Sequence, residues 1–250
     1  MSTIERNVGE LARQFWARAR LPEGYPRDIE SGVALVLPMA IIKLPVVTTS
    51  EVSLWLTRNR VAAEVNQLPL DLMGCLIAYA GHGITFVGGG DSPEEQRLTI
   101  AHEAAHFIVH YMMPRQRALT ALGASIKPVL DGERLATPAE RVEGVLSGMR
   151  IGAHIHLLPR GITDDRVALA EVDADNLGLE LVAPQEAVSA FLRTRHLDDA
   201  GPLEQAIALQ MKFGVPAQAM MRRLAETNRP RPSGFTAATL AILRGGNERT

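Results

Sequence analysis

With 250 residues, 46% of them hydrophobic and 22% charged, the chain is long enough to bury a sizeable core and too apolar for a disordered protein. The net charge of −2 is that of an ordinary globular protein, and a lone cysteine, Cys75, excludes an internal disulfide and fits a reducing compartment. The start MSTIERNVGE lacks a signal peptide's basic, apolar pattern, and Pro38, Lys43 and Pro45 break the most apolar stretch, so the expectation is a cytoplasmic protein with no membrane span.

Residues 5–20, with Val8, Leu11, Phe15 and Trp16 at helical spacing, predict an amphipathic helix. A second helix is expected from near Pro26, whose ring suits a first turn. AIIKLPVV reads as a strand, and Pro45 argues for a sheet edge. TTSEVSLWLTRNRVA reads as a helix capped by Thr or Ser, with Glu51 in its first turn. Two apolar runs flank Gly81-His82-Gly83, which predicts a β-hairpin. Ser92-Pro93-Glu94-Glu95 then opens a helix with capping-box spacing, expected to run from Pro93 to about Tyr111 and to stop at Pro114.

Thr137-Pro-Ala-Glu140 opens another helix running towards His154, and a further one spans Asp164 to about Leu181. Helical segments continue to Leu224, followed by the turn NRPRPSG and a short helix near 236–244. A small sheet near residues 40–90 surrounded by helices is an α+β arrangement.

The helix opened by Ser92 carries LTIAHEAAH. Residues i and i+4 lie about 40° apart around a helix and roughly 6 Å apart along it, so the imidazoles of His102 and His106 can share one zinc ion. Glu103 projects beside that ion, where a carboxylate can deprotonate water. Chance alone would give about 0.014 such matches in a chain of this composition, and the capped helix and preceding hairpin strengthen the motif further.

A catalytic zinc needs a third protein ligand. His110 sits about 12 Å along the helix from His102 and cannot share the ion with both histidines. His154 and His156 alternate in GAHIHLL without a supporting pattern. Glu171, at the border of an apolar stripe formed by Ala170, Ala174, Leu177, Gly178 and Leu181, is the best candidate, weighed evenly against a solvated helix carboxylate. Asp175, one turn later, is either a group that holds a ligand in place or a solvated carboxylate. No hydrogen-bond donor to the transition state stands out among Tyr79, Tyr111, His82 and His154.

QRLTIAHEAAHFIVH resembles the active-site segment of the ImmA/IrrE family of zinc metallopeptidases. EVDADNLGLELVAP resembles that family's second motif through Glu171, Ala174, Asp175, Glu180, Leu181 and Pro184, with conservative departures at Leu177, Gly178 and Ala183. FGVPAQAMMRRLAE looks like its closing helix pair, so the resemblance spans roughly residues 25–225. It implies a minimal zincin-like domain over residues 1–200 and a helical C-terminal segment over 201–250, part of which looks like half of a helix-turn-helix. It also implies Zn2+ held by His102, His106 and Glu171, Glu103 as general base and acid, and site-specific cleavage of a repressor with a helix-turn-helix domain in a stress, mobile-element or defence response. The sequence departs from the family in the long gap between His106 and Glu171, an insertion over about 115–160 that fits a lid or a substrate-selecting wall.

Two other readings stay open. From Met211 onward seven basic residues face two acids, which motivates a DNA-binding or scaffold regulator with a structural zinc, although solvated arginines are commoner. The insertion also suits an enzyme acting on a small peptide or natural-product intermediate. Cys75 reads as a buried core residue, with a thiolate that blocks zinc as the rarer alternative.

Overall fold

In the computed structural model, which describes residues 8–61, 63, 65, 69–146, 154–160 and 168–227, four strands form one mixed sheet. They are β1 (Met39–Leu44), β2 (Leu72–Tyr79), β3 (His82–Gly88) and β4 (His154–Pro159), in the order β1-β3-β2-β4. β1 runs parallel to β3, and β2 is antiparallel to both β3 and β4. The class is the expected α+β. Among the described residues, no helix is long and apolar enough to cross a membrane.

Period-two alternation gives the sheet two apolar faces. Leu76 and Ala78 of β2 enter the main core, with α1 (Val8–Ala19), α2 (Ile29–Val36), α4 (Pro93–His106) and α8 (Ala168–Val182). Cys75 and Ile77 face a second core with Phe86 and with Val52 and Leu56 of α3 (Thr49–Arg58). α9 (Gln185–Thr194), α10 (Pro202–Phe213) and α11 (Ala217–Thr227) add Val188, Leu209, Phe213 and Met220 to the main core, so the C-terminal helices share the hydrophobic centre of the rest.

The local signals of the sequence are realised with three shifts. The hairpin turn is Ala80-Gly81, both at positive φ (49° and 85°), and His82 already begins β3. The second helix starts after Asp28, whose carboxylate accepts from Ser31 N, and leaves Pro26 outside. Pro114 does not stop the motif helix. Residues Phe107–Met112 widen into π-helical turns, and α5 (Met113–Leu122) continues with the proline in its first turn. A proline cannot donate to the carbonyl four residues back, and a locally wider turn accommodates that missing bond.

The expected sheet near 40–90 also gains a strand from the insertion. After α5 the chain forms a 3-10 turn (Ala124–Ile126) and α6 (Lys127–Leu130) around a small core of Ala118, Ile126, Val129 and Leu130, and then α7 (Pro138–Leu146). His154 then begins β4 rather than ending a helix. The expected start of α8 at Asp164, the Pro-rich turn and the helix near 236–244 lie outside the described residues.

Candidate metal centre

The capping box that opens α4 is complete. Ser92 Oγ accepts from Glu95 N at 3.2 Å, and Ser92 N donates to Glu95 Oε2 at 3.0 Å. The second half of α4, from Thr99 to His106, is buried all round. Ala101, Ala104 and Ala105 are small enough to let the helix sink between sheet and α8. Two glycines set how closely it is flanked. A Cβ at Gly178 of α8 would stand 3.1 Å from His102 Cα. One at Gly74 of β2 would stand 2.8 Å from Glu103 Oε1.

Three histidines converge in this space. Ligand atoms of His102, His106 and His156 all lie within 4.8 Å of one another, so the three are close enough to hold a metal ion. His102 Nε2 and His106 Nε2 are 3.1 Å apart, near the roughly 3.4 Å expected for two nitrogen ligands of a tetrahedral zinc. Behind them, His102 Nδ1 donates to Asp175 Oδ1 at 3.0 Å, and His106 Nδ1 lies 2.9 Å from His110 Nδ1. A carboxylate that holds the Nδ1 proton orients the ring, and a metal ion that displaces the proton from Nε2 would take up the lone pair there. The donor set therefore fits a divalent ion of intermediate softness.

His156 enters from β4. Its Nδ1 donates to Glu103 Oε2 at 3.0 Å, and its ring stacks on that of His106 with centroids 3.6 Å apart and planes 19° apart. Lone pairs lie in the ring plane, so two nearly parallel imidazoles do not aim at one point. In this geometry His156 is first a partner of Glu103.

Glu103 is fully buried. Burial alone would raise its carboxyl pKa, but the charge and hydrogen bond of His156, followed by the charges of His102 and His106, hold it below the ordinary value. Its Oε1 has no hydrogen-bond partner among the described residues. A buried carboxylate with one oxygen held and the other unpartnered is suited to accept a proton.

The structure thus places His102, Glu103, His106 and Asp175 together. Glu171 lies in the first turn of α8, one turn before Asp175, and its side chain is outside the described residues. Of the donors considered for the transition state, Tyr111 is held by its hydroxyl oxygen, which accepts from Gly81 N at 2.6 Å, and His82 Nδ1 bonds to Ala80 O at 3.1 Å. His154 is on the same strand face as His156, its ring 6.4 Å from that of His110. The contact of His156 with Glu103 is what sequence reasoning missed, and its only signal was the His-Ile-His alternation.

Cys75 points into the second core, away from the histidines, and burial together with the charge of Glu103 pushes its thiol far above the ordinary range. That makes it an inert core residue rather than a zinc-blocking thiolate. Two arginines of the basic segment face acids of the fold, Arg223 in the core and Arg222 at the surface. Arg223 pairs with Glu180 in the core, and Arg222 Nη1 lies 3.4 Å from Asp175 Oδ2. No protein-family model matches the chain, and no curated protein does so either.

Proposed function

We propose that the chain is a zinc-dependent endopeptidase that cuts a partner regulatory protein of repressor type. The observation that carries the reading is the approach of His102 Nε2 and His106 Nε2 to 3.1 Å beside a buried glutamate whose Oε1 has no hydrogen-bond partner among the described residues. His102 and His106 hold the ion, and the ImmA/IrrE resemblance supplies Glu171 as third ligand. When bound, zinc polarises a carbonyl and makes water acidic enough to lose a proton near neutral pH. Glu103 takes that proton at Oε1 and returns it to the leaving amine. Asp175 fixes the tautomer and orientation of His102 through Nδ1.

The rival reading of a DNA-binding regulator with structural zinc is supported less well. It draws on the basic segment after 211, yet Arg222 and Arg223 face acids of the fold itself. Arg229, Arg231, Arg244 and Arg249 lie outside the described residues.

The test is Glu103→Gln in protein loaded with zinc. The variant retains the ion and loses at least about a hundredfold in cleavage of an unstructured polypeptide, the loss expected for a removed general base. Undiminished cleavage would refute the role of Glu103.

A further inference from the structure

Strand β4 closes one side of the space around Glu103. In its register with β2, His156 stands opposite Leu76 and His154 opposite Ala78, on the face turned towards α4. Ile155 and Leu157 stand opposite Ile77 and Cys75 and pack against the second core. From this backbone His156 reaches Glu103 and stacks on His106. Glu103 is 0% exposed, His106 1% and His102 4%, so no polypeptide can touch the reacting groups while β4 is seated.

The strand is also held in a way that allows it to leave. All six of its residues are only partly buried, and Ile155 and Leu157 are the apolar side chains that it commits to the second core. Its C-terminal end is latched by Arg160, whose Nη2 lies 2.6 Å from both oxygens of Asp91 and whose Nε donates to Leu72 O at 3.1 Å. The Arg160 side chain is 40% exposed, so this ion pair is a modest, partly screened one. Without β4, β2 becomes the edge of the sheet, and its unpaired backbone groups are the kind to which extended peptides add as an extra strand.

We propose that residues 154–160 stand in for substrate. β4 occupies the peptide-binding edge of β2 and closes the centre, and substrate enters as an extended segment that displaces it. The word substrate rests on the peptidase reading. The exchange of strands on β2 does not, and the two can be separated.

The experiment compares the full-length parent with Arg160→Ala and with Ile155→Asp, zinc-loaded, by hydrogen exchange. The β2 amides that bond to β4 are expected to exchange about fivefold faster in Arg160→Ala, and faster still in Ile155→Asp, while α4 amides keep their protection. A synthetic peptide of residues 154–160, added in excess to Ile155→Asp, restores the lost protection on β2. Unchanged exchange on β2 in both variants overturns the proposal. So does loss of α4 protection in step with β2, since β4 would then be integral to the fold. Cleavage of reduced, alkylated casein separates the two readings. If exchange and peptide rescue behave as expected and no form cuts, the peptidase reading falls and the displaceable strand stands. If parent and variants cut equally fast, the displaceable strand falls.

Discussion

Gly178→Ala asks whether the close crossing of α4 and α8 is what builds the metal centre. The new methyl would meet His102 Cα at 3.1 Å, His102 N at 3.2 Å and the Ala101 carbonyl carbon at 3.3 Å, all main-chain atoms that cannot swing aside. α8 must therefore retreat by a few tenths of an ångström, an overpacking cost of about 1–3 kcal/mol. Alanine in a helix interior recovers about 1 kcal/mol relative to glycine, so the net change is a loss of roughly 0–2 kcal/mol. The same retreat lengthens the bond of Asp175 to His102 Nδ1, now 3.0 Å, so metal affinity should fall, by less than the roughly 10–100-fold that outright loss of such a bond costs. Urea unfolding and zinc titration against a chromophoric chelator measure the two effects. Gly9→Ala in α1, where the methyl meets nothing closer than 3.6 Å, is the control and should stabilise. If Gly178→Ala stabilises by the full helix-propensity gain and binds zinc as the parent does, the crossing is not what sets the site.

Other outcomes follow from the same geometry. Arg223→Ala leaves Glu180 buried without its partner and should cost about 3–5 kcal/mol in urea unfolding, whereas a loss under 1 kcal/mol contradicts a buried pair. Asp131 is held below the ordinary carboxylate pKa; burial opposes this, but hydrogen bonds and charge from Lys127 and Arg115 outweigh it. Its stabilising contribution is present above the unfolded-state value and is lost as pH falls through the lower folded-state value, so Asp131→Asn should flatten the acid limb of the stability curve. An unchanged acid limb refutes that. Zinc at a free concentration of about 100 times its Kd should add about 2.7 kcal/mol of stability, seen as a higher melting temperature that a chelator reverses. No shift on chelation counts against a bound ion.

Much of the architecture was legible because its signals are local. The Ser92 capping box, the hairpin of two β-rich runs and the spacing of His102, Glu103 and His106 each reside within a few residues. Pro114 misled because a proline usually ends a helix, whereas here π-helical turns absorb it. β4 was hidden for a different reason. Leu72 to Ala78 pairs with His154 to Pro159 across some eighty residues, and no local pattern specifies so distant a partner. Gly178 was readable as a small residue on an apolar stripe, but its contact with the His102 backbone exists only once two helices cross.

In the proposed centre, His102 and His106 jointly hold one metal ion. Elemental analysis of the purified full-length chain, beside the His102→Ala/His106→Ala double variant, tests it most directly. The expected result is about one zinc per folded chain, reduced to background in the double variant with the sheet and helices intact. A parent free of divalent metal after zinc loading, or a double variant that binds as much as the parent, would contradict it.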